Sequence, residues 1–77
     1  MIEIADITVK LPIEVAFDAE KRMIHGAWLV VPGQPRVDIT SLLSRDDWDH
    51  VVYMLSDCGY IHHTSVEAFM TPAQEGW

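Results

Sequence analysis

Cysteine is nearly missing from this chain. Cys58 is the only one in 77 residues, so no disulfide can form within it. Secreted domains of this size normally carry several, which makes a reducing, cytoplasmic setting the expectation. Long apolar runs are lacking too. The longest, Ala27 to Val31, is far short of the roughly 20 residues that span a bilayer. Near the N-terminus stand Glu3 and Asp6 rather than a basic stretch, so that segment does not read as a secretory leader. The four glycines are isolated, and no glycine-rich phosphate loop can be built from them.

Lysine and arginine are missing from one part of the chain. Residues 1–45 contain six acids and all five bases, whereas residues 46–77 contain six acids and none. The whole charge is −7, and nearly all of it falls in the second part. Direct nucleic-acid binding requires cations that displace phosphate counterions, and that part has none to offer. An anionic membrane surface would repel it. The complement of such a chain is a basic surface on a protein or nucleoprotein complex.

What is abundant is apolar residues. They make up 49% of the chain, with three tryptophans among them, which excludes a disordered chain and supports one domain, residues 1–71, followed by a short tail, 72–77. Ile7, Val9, Leu11, Ile13, Val15 and Phe17 alternate with mostly polar neighbours, the period of a half-buried strand. Pro12 places that strand at a sheet edge or divides it at a bulge. Ile2 and Ile4 lie in the opposite phase, so their inclusion calls for a slip near Ala5 or Asp6. Asp18 to Lys21 is a hairpin connection. Met23 to Val31 is a second strand, in which Gly26 marks a bulge or the close approach of a neighbour. Pro32-Gly33-Gln34-Pro35 is a strong turn signal, and Arg36 to Thr40 reads as a third strand.

Ser44 with Asp47 three positions later is a capping box in its aspartate form. It opens a helix expected over Arg45 to Cys58. Trp48, Val51, Val52 and Leu55 form one apolar stripe along it. Gly59 ends it, with Tyr60 folding back in a Schellman arrangement. Residues 60–70 fit either a strand or a short helix capped by Ser65. The predicted fold is therefore α+β: a small antiparallel sheet of three or four strands packed on one amphipathic helix, in the order β-β-β-α with a further strand optional. The expected core is Ile7, Val9, Leu11, Ile13, Val15, Phe17, Trp28, Val30, Ile39, Trp48, Val51, Val52 and Leu55.

No residue pattern names a reaction, and the chain reads as a non-enzymatic module without a cofactor. Asp46, Asp49, His50, Tyr53 and Asp57 gather opposite the Trp48 stripe at 100° per residue. Acids in a first helical turn suit the helix dipole and can be merely solvated. Asp57 stands at the unfavourable, negative end. These five residues, with Glu67, are the candidate partner-binding surface. The expected function is protein binding, with inhibition of a basic nucleic-acid-binding site as its sharper form. Asp46, Asp49 and Asp57 span roughly 16 Å. That is about one charge per 5 Å, too sparse to imitate duplex phosphates unless Glu67, Glu75 or sheet-edge acids contribute.

Two alternatives have sequence features of their own. The long first strand offers an edge for a second copy, making a homodimer or larger assembly. His25, His62, His63 and nearby acids offer nitrogen and oxygen ligands for a metal-dependent enzyme, although a lone cysteine resembles no zinc-finger spacing. Cys58, placed on the apolar side of the helix, is expected to be buried and inert. The set Cys58, His62 or His63, and Asp57 has the residue types of a catalytic triad, but residues so close in sequence fall together readily without one. One histidine of the 62–63 pair is expected at the surface and the other partly buried. Trp77 is a candidate anchor, for the domain itself or for a partner.

Overall fold

The computed structural model describes residues 1–72. The sheet is a four-stranded antiparallel meander: β1 (Ile2–Val9), β2 (Leu11–Asp18), β3 (Met23–Leu29) and β4 (Val37–Asp38), in the spatial order β1-β2-β3-β4. A short 3-10 turn (Thr40–Leu42) leads into the single α-helix, α1 (Arg45–Asp57), and a 3-10 helix (His63–Ala68) follows it. The expected α+β architecture is present, with the helix after all four strands.

The long alternating run is two strands rather than one. The chain reverses at Lys10, which takes the left-handed φ of 64°, and Ile7 pairs with Ile13 across the hairpin. Reversal about an even-numbered residue pairs odd with odd. Val9, Ile13, Val15 and Phe17 therefore keep one phase and point to the same face. A period-two pattern passes through such a turn unchanged. Leu11 lies at the turn and is exposed, so it leaves the expected core. Ile2 and Ile4 need no slip: they stay in the opposite phase, on the open face of the sheet, 58% and 55% exposed.

The hairpin from β2 to β3 is organised by Asp18. Its Oδ1 accepts the backbone N–H groups of Glu20 and Lys21, both at 3.0 Å. A register shift between Ala16 and Phe17 leaves His25 as the extra residue of a bulge in β3. Gly26 answers to both readings of a strand glycine. It adjoins the bulge, and a Cβ there would lie 2.9 Å from Thr40 Oγ1 and 3.4 Å from Trp28 Cη2. Beyond β3, Gly33 (φ 76°) completes a turn closed by Gln34 N–H donating to Val31 O at 3.0 Å.

α1 begins as its sequence dictates. Ser44 Oγ accepts Asp47 N–H, and Asp47 Oδ2 accepts Ser44 N–H. It ends in a Schellman motif: Tyr60 N–H donates to Leu55 O and Gly59 N–H to Ser56 O, with Gly59 at φ 84°. The Tyr60 ring packs edge-on against Phe17 at 6.2 Å, and its hydroxyl accepts Asp6 N–H at 3.4 Å. Alternate residues of an antiparallel strand face the same neighbour. Asp6 therefore faces away from β2, and Tyr60 covers part of the free edge of β1.

Trp48, Val51, Val52 and Leu55 fill the space between α1 and the inner face of the sheet. Ala5, Ile24, Ala27, Ile61 and Phe69 join this core without having been expected there. Small residues and isolated apolar positions carry no periodic signal strong enough to mark them. Trp28 and Val30 are only half-buried, and Trp28 lies on the sheet face away from the helix, since its partners in register are Glu14 and Asp38. Ile39 packs at the margin of the core. Residues 60–70 follow neither reading of that segment. Tyr60 to His62 form no strand, and the helix is a 3-10 helix (His63–Ala68) that starts after His62, with Ser65 inside it rather than at its cap, before Met70 makes a single parallel bridge to Met23.

Candidate functional site

The capping box fixes where α1 starts and the Trp48 stripe fixes its rotation. Together they send Asp46, Asp49, His50, Tyr53 and Asp57 outward, and all five are exposed. Tyr53 is 60% exposed. The 3-10 helix packs beside α1 and brings Glu67 to it. Glu67 lines one shallow groove with Asp49 and Val66, and another with Tyr53, Ser56, His63 and Thr64. The tertiary structure thus brings Glu67 beside Asp49 and Tyr53, which precede it by 18 and 14 positions in the sequence. By the 100° step, Asp46, His50 and Asp57 lie on the far side of the outer face, away from that groove.

Among the described residues, no ion pair neutralises the acids of this surface. Two ion pairs occur among the described residues, and both use acids of the first part: the N-terminal ammonium with Asp18 at 3.4 Å, and Arg36 Nε with Glu14 Oε1 at 2.7 Å. Asp46, Asp49, Asp57 and Glu67 are in neither. Arg45 stands one helical turn before Asp49 without forming an ion pair with it. Arg36 has a local task. Glu14 faces Asp6 directly across β1 and β2, and a cation beside such a like-charged pair offsets its repulsion.

Three carboxylates are held below their ordinary range, and each does structural work. The Lys21 N–H chiefly, then the N-terminal ammonium and Glu20 N–H, lower Asp18 against the opposing effect of burial. The backbone N–H of Thr40, then its hydroxyl, lowers Asp38. The backbone N–H of Ser44, then its hydroxyl, lowers Asp47, with smaller help from Lys10 and His50. Asp47 is therefore committed to the helix cap rather than free for a partner.

Cys58 is exposed rather than buried: it is the C-cap residue, beyond Leu55, the last of the buried residues of α1. His62 and His63 are both exposed, with ring centroids 6.2 Å apart. Among the described residues, no three His, Cys, Asp or Glu side chains converge as metal ligands, and no hydrogen bond links Cys58, Asp57 and either histidine. Glu75 and Trp77 lie outside the described residues. No described helix is long and apolar enough to cross a membrane.

A second concavity was not foreseen. It is a cleft of about 520 Å³ on the outer edge of β3, between the β4 pairing and the Met70 bridge, and Trp28 and Trp48 both line it. Gly26 was its one visible sign in the sequence.

No protein-family model matches this chain, and no curated protein or solved structure shows significant similarity to it.

Proposed function

We propose that this chain is a small protein-binding module that presents the outer face of α1 and the adjoining 3-10 helix to a basic surface of a protein or nucleoprotein complex. The observation that carries this reading is the exposure of Asp46, Asp49, Asp57 and Glu67, outside any ion pair among the described residues, around an exposed Tyr53. Acidic side chains around an aromatic suit recognition of arginine-rich surfaces, where charge steers the approach and the ring supplies contact area. His50 lies within the same face, next to the acids.

The sharper form is an inhibitor that occludes a basic nucleic-acid-binding site. Its action would be electrostatic attraction and steric blockage rather than charge-for-charge mimicry. Glu67 enriches the patch, yet the spacing stays far wider than the ≈1.7 Å per charge of duplex DNA.

The test is binding to basic nucleic-acid enzymes at low and high salt, with the triple variant Asp49→Asn, Asp57→Asn, Glu67→Gln beside the native chain. The expected result is association that slows as salt rises and a complex weakened by the triple variant, whose circular dichroism is unchanged. Binding insensitive to both would remove the reading.

A second reading is favoured by the exposure of Ile2 and Ile4 beside the β1 edge: self-association through that edge. Sedimentation of the purified chain separates the two, because a concentration-dependent dimer without any partner belongs to the second alone.

A further inference from the structure

The cleft on β3 has a regular foundation. Trp28 and Asp38 are direct partners across β3 and β4, so their side chains stand on one face with Cβ atoms about 5 Å apart. Gly26 precedes Trp28 by two residues and Thr40 follows Asp38 by two, extending the same face. The missing side chain at Gly26 leaves room for the Trp28 ring, whose Cη2 would lie 3.4 Å from a Cβ there. Thr40 Oγ1 closes the strand by accepting Ala27 N–H at 3.1 Å. Asp38 Oδ1 accepts Thr40 N–H at 2.9 Å. An aromatic ring and a carboxylate are thus held side by side on fixed backbone. Trp48, His25, Ser41, Leu43 and Pro72 complete the lining, and among the described residues no lysine or arginine is part of it.

We infer that this cleft binds a guanidinium group, stacked on Trp28 and paired with the Asp38 carboxylate. An aromatic face beside a carboxylate attracts cations, and tryptophan does so most strongly. A planar, weakly hydrated guanidinium stacks on an indole and still offers its edge to a carboxylate, whereas an ammonium is compact and strongly hydrated. The volume lies within the range of small-ligand sites, about 300–1,000 Å³. The chain's own nearby guanidinium, Arg36, is engaged with Glu14. Asp38 is ionised at neutral pH as an ordinary carboxylate is, and the Thr40 N–H lowers it further. The group can arrive as a free small molecule or as an arginine side chain of a peptide. This site is separate from the acidic face of α1 and does not depend on it.

The experiment follows the indole N–H resonances of the full chain in two-dimensional NMR during titration. The probes are methylguanidinium, N-acetyl-arginine methylamide and the neutral citrulline analogue of the latter. Saturable shifts of the Trp28 indole with both charged probes, at dissociation constants near or below about 1 mM, and none with the citrulline analogue, are the expected result. Tighter binding of the arginine amide assigns the site to peptides, and tighter binding of methylguanidinium assigns it to free guanidinium compounds. Asp38→Asn, whose amide oxygen can still accept Thr40 N–H, should weaken binding about tenfold or more. If that variant misfolds, Trp28→Leu should do the same. The triple variant of the acidic face should bind the probes as the native chain does. Absence of saturation with either charged probe, equal binding of the citrulline analogue, or indifference to both substitutions overturns the inference.

Discussion

Single residues in this protein hold the backbone in places where few alternatives would serve. Gly59 takes φ 84° at the end of α1, a conformation that costs a residue with a Cβ about 1 kcal/mol or more. Gly59→Ala should lower stability by about that amount in urea unfolding. Ser44 supplies one half of the capping box, and Ser44→Ala should cost about 1 kcal/mol by the same measurement. Gly26→Ala should be worse than an ordinary glycine substitution, because its Cβ would meet Thr40 Oγ1 at 2.9 Å, and that hydroxyl is fixed on Ala27. Asp18, Asp38 and Asp47 are each more acidic folded than unfolded. Their contribution to stability is complete above the unfolded carboxylate value near 4 and is lost as pH falls through their lower folded values. Acid titration followed by circular dichroism should show stability declining below about pH 4, with a shallower decline in Asp18→Asn and Asp47→Asn.

At the scale of elements, α1 was the most legible part. Its cap, its stripe and its glycine stop are local signals, and they were enough to place the helix at Arg45–Asp57 to within one residue and to send Asp46, Asp49, His50, Tyr53 and Asp57 outward. The strands were legible in phase and in overall number, but the point at which the first long run divides was not. Alternation tells which face a residue takes, while the reversal at Lys10 depends on one left-handed residue that no pattern marks. Gly26 announced a close neighbour without saying that Thr40 would be the one. Leu55 is fully buried under the sheet, so Leu55→Ala should cost about 2–5 kcal/mol. A domain of this size has only about 4–12 kcal/mol in all, so the variant should be partly unfolded at 37 °C.

The whole molecule divides into a front in which some acids are paired with cations and a back whose described acids are in no ion pair. Screening should relieve repulsion among the acids of α1 and the 3-10 helix. Raising sodium chloride at pH 7 should therefore move the urea unfolding midpoint upward, and at pH 3, with most carboxylates protonated, the gain should shrink. A midpoint that fell with salt would show attractive pairs outweighing that repulsion. The same distribution makes the proposed docking a property of the fold. Helix rotation exposes five residues of the face, and only the packing of the 3-10 helix on α1 adds Glu67 beside Asp49 and Tyr53.

The sequence by itself determined the α+β class, the limits and rotation of α1, and the charge of its outer face. Those depend on caps, periodicity and composition, which act over a few residues. Only the tertiary structure decided that Leu11 is exposed, that Trp28 leaves the core for the open face, and that Asp38 comes beside it. These outcomes depend on strand register and on which elements end up as neighbours. Such contacts join residues far apart in the chain, where local propensity has no reach.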